Sequence, residues 1–192
     1  MSIFTQSNYK KIFFVILFLL SILSVIWLAS LKGNKKSGPL PTIIGAPVES
    51  FKGITPGLSN KAEVIQTLGE PIKTTDLGQQ TKLDYPSNKP TRNSEVYLQD
   101  QTAVFVKEIV SSKDKKKPSD LTKKFGEPKY FLFGPASTSG LNLYVFPDRG
   151  IAFVANIEAD YLFEIWYFPP TDYSTFKNTY AQDYSETFKP IQ

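Results

Sequence analysis

The chain has 192 residues, 41% apolar and 21% charged, which excludes disorder over most of its length and allows a membrane segment plus one domain or two small modules. It has no Cys and no His, so disulfide frameworks, thiol nucleophiles, lipidated cysteines, Cys/His zinc sites and histidine acid–base catalysis are excluded. Net charge is +4, yet without Lys10, Lys11, Lys32, Lys35 and Lys36, which flank one apolar stretch, 17 basic residues face 18 acidic ones, so no nucleic-acid partner is expected.

Ile12 to Leu31 is apolar except for Ser21, Ser24 and Ser30. At about 1.5 Å per residue it matches a bilayer core of roughly 30 Å, and it predicts an uncleaved transmembrane anchor in contact with membrane lipid. Residues 1–11 then read as a cytoplasmic tail. Residues 32–53, with Pro39, Pro41 and Pro47, read as an extended spacer that holds an extracytoplasmic domain away from the bilayer.

The next pattern is internal similarity. Leu68-Gly69-Glu70-Pro71 recurs as Phe125-Gly126-Glu127-Pro128, 57 residues on, and Glu108-Ile109 recurs as Glu164-Ile165, 56 residues on. In the first copy (54–112) Asn60 and Glu63 suit a capping box, Val64, Ile65 and Leu68 form an apolar stripe, and Gly69-Glu70-Pro71 stops the helix. Strands are predicted over 72–75, 80–85, 95–98 and 102–110, with a turn at Gln99-Asp100-Gln101. Residues 113–117 form a basic linker whose lysines are expected to be solvated. In the second copy (118–170) Ser119 is the cap candidate, Leu121 and Phe125 bury, and strands are predicted over 130–134, 141–146, 150–155 and 161–168, with a turn at Asp148-Arg149-Gly150. In 171–192, Tyr173, Phe176, Tyr180 and Tyr184 predict an amphipathic helix starting near Thr171 or Asp172. The expected fold class is α+β: an N-terminal transmembrane helix, two tandem helix-plus-antiparallel-meander repeats and a C-terminal helix.

Ile54-Thr55-Pro56-Gly57-Leu58-Ser59, followed by Glu63-Val64 and Leu68-Gly69-Glu70-Pro71, resembles the opening of the SmpA/OmlA-type outer-membrane assembly lipoprotein domain. The tandem form is similar in plan to the β-lactamase inhibitory protein fold. The resemblance implies a non-enzymatic, extracytoplasmic module that binds proteins through a helix-backed sheet. That lipoprotein group carries its lipid on a cysteine, which this chain lacks.

No residue pattern marks a reaction centre. Asp84, Asp148, Glu158, Asp160 and Glu164 are the carboxylates nearest the aromatic strands, but their spacing singles out no pair. Asp148 and Asp160 read as turn residues and Glu164 as pointing outward. Ser137 to Gly140 reads as a flexible loop, with neither a nucleophile elbow nor a phosphate-loop signature. No metal site or cofactor is expected. The aromatic concentration is the remaining signal, because both faces of 161–168 are apolar and need two covers, one from helices and one from the tail helix or a partner. Tyr144, Phe146, Phe153, Tyr161, Phe163, Trp166 and Tyr167 are the candidate binding residues. The leading expectation is a membrane-anchored module that binds another envelope or secreted protein. The alternative is a carbohydrate- or lipid-binding envelope protein that stacks its ligand on Trp166 and neighbouring tyrosines.

Overall fold

Asn60 starts α1 (Lys61–Leu68), the first helix among the described residues, through a reciprocal cap: its side chain accepts the Glu63 amide at 3.0 Å and the Glu63 carboxylate accepts the Asn60 amide at 2.9 Å. Gly69 ends it at φ 84. A computed structural model of the chain describes residues 48–188. Four strands follow: β1 (Lys73–Asp76), β2 (Thr81–Tyr85), β3 (Ser94–Gln99) and β4 (Thr102–Ile109). The pattern then repeats with α2 (Pro118–Phe125), β5 (Tyr130–Phe133), β6 (Asn142–Phe146), β7 (Ile151–Asn156) and β8 (Tyr161–Tyr167), and a third helix, α3 (Tyr173–Tyr180), closes it. Asp172 caps α3 by accepting the Thr175 amide. The second helix begins earlier than Ser119 suggests: Pro118 takes its first position, and the Asp120 carboxylate accepts the Lys117 amide.

The expected transmembrane helix at 12–31, its cytoplasmic tail and nearly all of the spacer lie outside the described residues. Among the described residues no helix is long and apolar enough to cross a membrane. This corrects the expected fold class: among the described residues the architecture is an eight-stranded antiparallel sheet with three α-helices, none of them a transmembrane helix, and a single-pass signal anchor is not carried further.

The two meanders do not form separate modules. Strand order is β1-β2-β3-β4-β8-β7-β6-β5, so the halves join edge to edge through the antiparallel pair β4 and β8. Each half carries a bulge at the same place. Leu98 pairs with Ala103 and Tyr97 with Phe105, which leaves Val104 over; Ala155 pairs with Leu162 and Val154 with Glu164, which leaves Phe163 over. The Glu-Ile repeat proves not to be equivalent. Glu108 faces Ile165 and Ile109 faces Glu164 across the seam, so the two glutamates point to opposite sides of the sheet.

Each side of the sheet has its own core. On one, Val64 of α1 and Leu121 and Phe125 of α2 cover Leu83, Val96, Val106, Phe153, Ile165 and Tyr167. On the other, Phe176 and Tyr180 of α3, with Tyr184 beyond it, cover Leu132, Leu143, Val145, Trp166 and Phe168. The tail helix therefore supplies the second cover that β8 requires. Phe153, Phe168 and Phe176 are fully buried, each contributing about 1.5–3 kcal/mol of transfer free energy. That second cover reaches only one half of the sheet: the first half presents Lys82, Asp84, Glu95, Tyr97 and Lys107 on this side, between the β2–β3 loop and α3.

Candidate binding site

The bulge at Phe163 sets the chemistry beside it. A strand in strict alternation would put Phe163 with Ile165 and Tyr167, but Leu162 packs with those two while Phe163 joins Trp166 on the opposite side. Glu164 lies on the Trp166 side, as alternation places it, and is 5% exposed because that side is covered, contrary to the outward orientation expected from sequence. Its carboxylate accepts the Trp166 indole N–H at 2.8 Å and pairs with Arg92 at 2.7 Å. Arg92 lies on the β2–β3 loop, and its guanidinium and the Lys89 ammonium both sit over the Phe163 ring, 4.6 and 4.3 Å from its centre.

Around Glu164 and Trp166 lies a cleft of about 320 Å³. Arg92 forms one wall, Pro135, Ala136 and Leu141 another, and Tyr180, Asp183 and Tyr184 the third. Lys107 continues the floor toward the uncovered half-sheet, its ammonium 5.6 Å from the centre of the Trp166 ring. From there an ionic ladder runs across three strands: Lys107 to Glu95 at 3.5 Å, Glu95 to Lys82 at 3.1 Å and Lys82 to Asp84 at 3.1 Å. Tyr97 donates its hydroxyl to Glu95 at 2.9 Å. Burial opposes ionisation of Glu95, but Lys107, Tyr97 and Lys82 outweigh it and hold its carboxyl below the ordinary range. Burial, with the charge of Glu95, pushes the Tyr97 phenol up. Burial likewise raises Tyr180 to about 12, and burial with Glu164 raises Tyr184. The phenols of the site are therefore neutral donors throughout the physiological range.

The candidate aromatic residues do not share one surface. Phe146, Phe153 and Tyr167 are buried beneath α1 and α2, with Tyr144 half-buried against the same core. Tyr167 donates to the buried Glu108 at 2.8 Å, and Glu108 also takes Lys116. Tyr161 is exposed and lies beside Phe163. Phe163 and Trp166 belong to the cleft. Trp166 is 4% exposed, with the Phe105 and Tyr184 rings edge-on to it at 5.5 Å, so neither face of the indole is free to stack on a sugar. Arg92, Lys107, Tyr97, Glu95, Lys82 and Tyr184 were missed by the sequence reading. The charges at alternate positions, Lys82 with Asp84 and Glu95 with Lys107 across a strand pair, were the available signal.

The other sequence-singled groups serve the fold. Asp148 pairs with Lys129 and Asp160 with Lys117, both at 2.8 Å, so Lys116 and Lys117 of the basic linker are ion-paired rather than free. Ser137–Ser139 forms a short 3-10 turn, in which the Ser137 hydroxyl accepts the Gly134 amide. A second cleft of about 310 Å³ between α2 and the sheet is lined by Glu49, Lys116, Lys117 and Lys124, and Glu49 pairs with Lys124. Among the described residues no group of three or more acidic side chains is placed to hold a metal ion.

No family model and no curated protein matches the chain. Two solved structures resemble it. One is an extracellular protein containing a SCP domain from Bacillus anthracis, 12% identical, with 76% of this chain and 54% of that chain covered and a TM-score of 0.44. This chain thus spans about half the length of that neighbour. The other is a DUF4309 family protein from Bacillus subtilis, 18% identical, with 65% of this chain and 88% of that chain covered and a TM-score of 0.42. These are partial likenesses, and no function is taken from them.

Proposed function

We propose that the chain is a non-catalytic protein-binding module that works outside the cytoplasm and takes up partner side chains in the cleft between the β2–β3 loop and the C-terminal segment. The observation that carries this reading is the way the carboxylates there are used. Glu164 is held by Arg92 and Trp166, and Glu95 by Lys82, Lys107 and Tyr97. Carboxylates already engaged by fixed cations and hydrogen-bond donors suit polar recognition, and Glu95, held below the ordinary range, is the opposite of the raised carboxyl that a general acid needs. The half-buried rings of Phe163, Tyr180 and Tyr184 beside Arg92, Lys107 and Asp183 supply the mixture of apolar and charged surface found at protein interfaces. The absence of cysteine is compatible with work in an oxidising compartment.

Site-specific photocrosslinking in cells tests this. A photoreactive residue at Ala136, on the cleft rim, is expected to yield a discrete adduct with another protein, whereas one at Gly78, in the β1–β2 turn, is not. Adding Lys107→Glu should remove the Ala136 adduct. Equal adducts from both positions, or none from Ala136, would sink the reading.

A further inference from the structure

The duplication gives the sheet two edge strands that occupy the same place in their halves. β1 (Lys73–Asp76) and β5 (Tyr130–Phe133) lie 57 residues apart, the spacing that also separates Gly69 from Gly126. Their sequences are opposite in character. β1 reads Lys-Thr-Thr-Asp and has charged residues at both ends, a composition that discourages pairing with another chain. β5 reads Tyr-Phe-Leu-Phe, and at this open edge Tyr130 is 37% and Phe131 40% exposed.

Among the described residues the free edge of β5 is only partly occupied. Phe133 exchanges two backbone bonds with Ser185, at 2.7 and 2.8 Å, an antiparallel bridge one residue long. The tail then bends away: the Thr187 amide turns back to the Ser185 hydroxyl instead of running on beside Phe131. Since the backbone groups of Phe133 point outward, those of Phe131 and Lys129, at the same parity, point outward too, while Leu132 and Tyr130 bond inward to β6. Among the described residues nothing pairs with the outward donors and acceptors of residues 129 and 131.

We infer that β5 is the docking edge for a second copy of this chain, the two β5 strands pairing antiparallel about a two-fold axis at Tyr130. One register leaves both Ser185 bridges in place: Phe131 of each copy exchanges backbone bonds with Lys129 of the other, and the two Tyr130 residues stand opposite each other. The edge is self-complementary in this register, as an isologous interface requires. The molecule joins its own halves by the same device, antiparallel edge pairing of β4 with β8. On one face Tyr130, stacked on Tyr173 at 3.9 Å, would meet its counterpart. On the other Phe131, already against Phe133 and Tyr144, would be covered by the Lys129 stem of the second copy. This inference does not depend on the cleft.

The chain has no cysteine, so a single introduced thiol reports on the pairing. Facing residues of a pair that is not hydrogen-bonded have Cα atoms about 4.5 Å apart, within disulfide reach. Under mild oxidation the full chain carrying Tyr130→Cys should form a cross-linked dimer at least ~10-fold faster than Lys73→Cys, its counterpart on β1. Both variants carry the same amino-terminal segment, so association through that segment affects them alike. Adding Phe131→Pro, which removes an outward N–H without touching the bonds to β6, should reduce the Tyr130→Cys rate to the Lys73→Cys level. In the unsubstituted chain, hydrogen exchange at the Phe131 amide should slow as protein concentration rises. Equal rates for the two thiols, or exchange at Phe131 that does not depend on concentration, would overturn the inference.

Discussion

Arg92 and Glu164 show how much depends on a single side chain. Glu164 is buried, and Arg92, whose side chain is 37% exposed, is its counter-charge. Removing one partner of a buried pair costs about 3–5 kcal/mol, and the partial exposure of Arg92 lowers the figure expected for Arg92→Ala to roughly 2 kcal/mol. Urea unfolding followed by tryptophan fluorescence should read that loss, and a loss below about 0.5 kcal/mol would mean that water already screens the pair. The acid side of the stability profile follows from Glu95. Its folded-state pKa lies below the ordinary value of 4.5, so its stabilisation is complete above that pH and is lost as pH falls through the folded-state value. The Glu95→Gln variant should therefore show a shallower loss of stability below pH 4.5 than the parent chain; parallel curves would contradict the assignment. The burial of Glu164 was not legible from sequence, because alternation places it beside Trp166 but does not show that α3, Tyr184 and the loop arginine cover that side of the sheet.

The secondary elements were far more legible. All eight strands lie within two residues of their expected ends, since runs of Val, Ile, Tyr and Phe between Gly, Pro, Asn and Asp leave little choice of conformation. The Asn60 cap and the Asp172 start of α3 follow from side chains that satisfy amides at the first turn. Asp100 and Gln101 both adopt positive φ, 49 and 65, at the turn expected over Gln99-Asp100-Gln101, with Gln99 itself closing β3. Gly150 illustrates a turn that the sequence marks and the packing then makes obligatory. It has φ 66, and a Cβ there would lie 2.2 Å from the Phe168 carbonyl oxygen, whose residue also donates its amide to the Gly150 carbonyl. Gly150→Ala is expected to cost about 3 kcal/mol, measured as a lowered thermal midpoint in calorimetry, and an unchanged midpoint would show that the turn can relax.

At the scale of the molecule, the duplication was visible in the recurrence of Gly-Glu-Pro, but its geometry was not. A recurring dipeptide suggested that Glu108 and Glu164 are counterparts, whereas the seam places them on opposite faces, one beneath the helices with Tyr167 and one in the cleft with Trp166. Pairing between strands almost sixty residues apart leaves no local mark, so the union of the meanders into one sheet appears only in three dimensions. The candidate site was likewise legible in part. Phe163 and Trp166 were found, but the loop arginine and the ionic ladder belong to a surface assembled from both halves.

The seam between β4 and β8 has an evolutionary corollary. A two-fold assembly of a single half would need identical surfaces on its two members, so any residue suited to one would be imposed on the other. Once the copies are fused by the stretch between β4 and α2, that restriction lifts. One copy is free to keep a bare, salt-laced floor while the other gathers rings beneath a borrowed helix, and the cleft lies on the border where the two inheritances diverge.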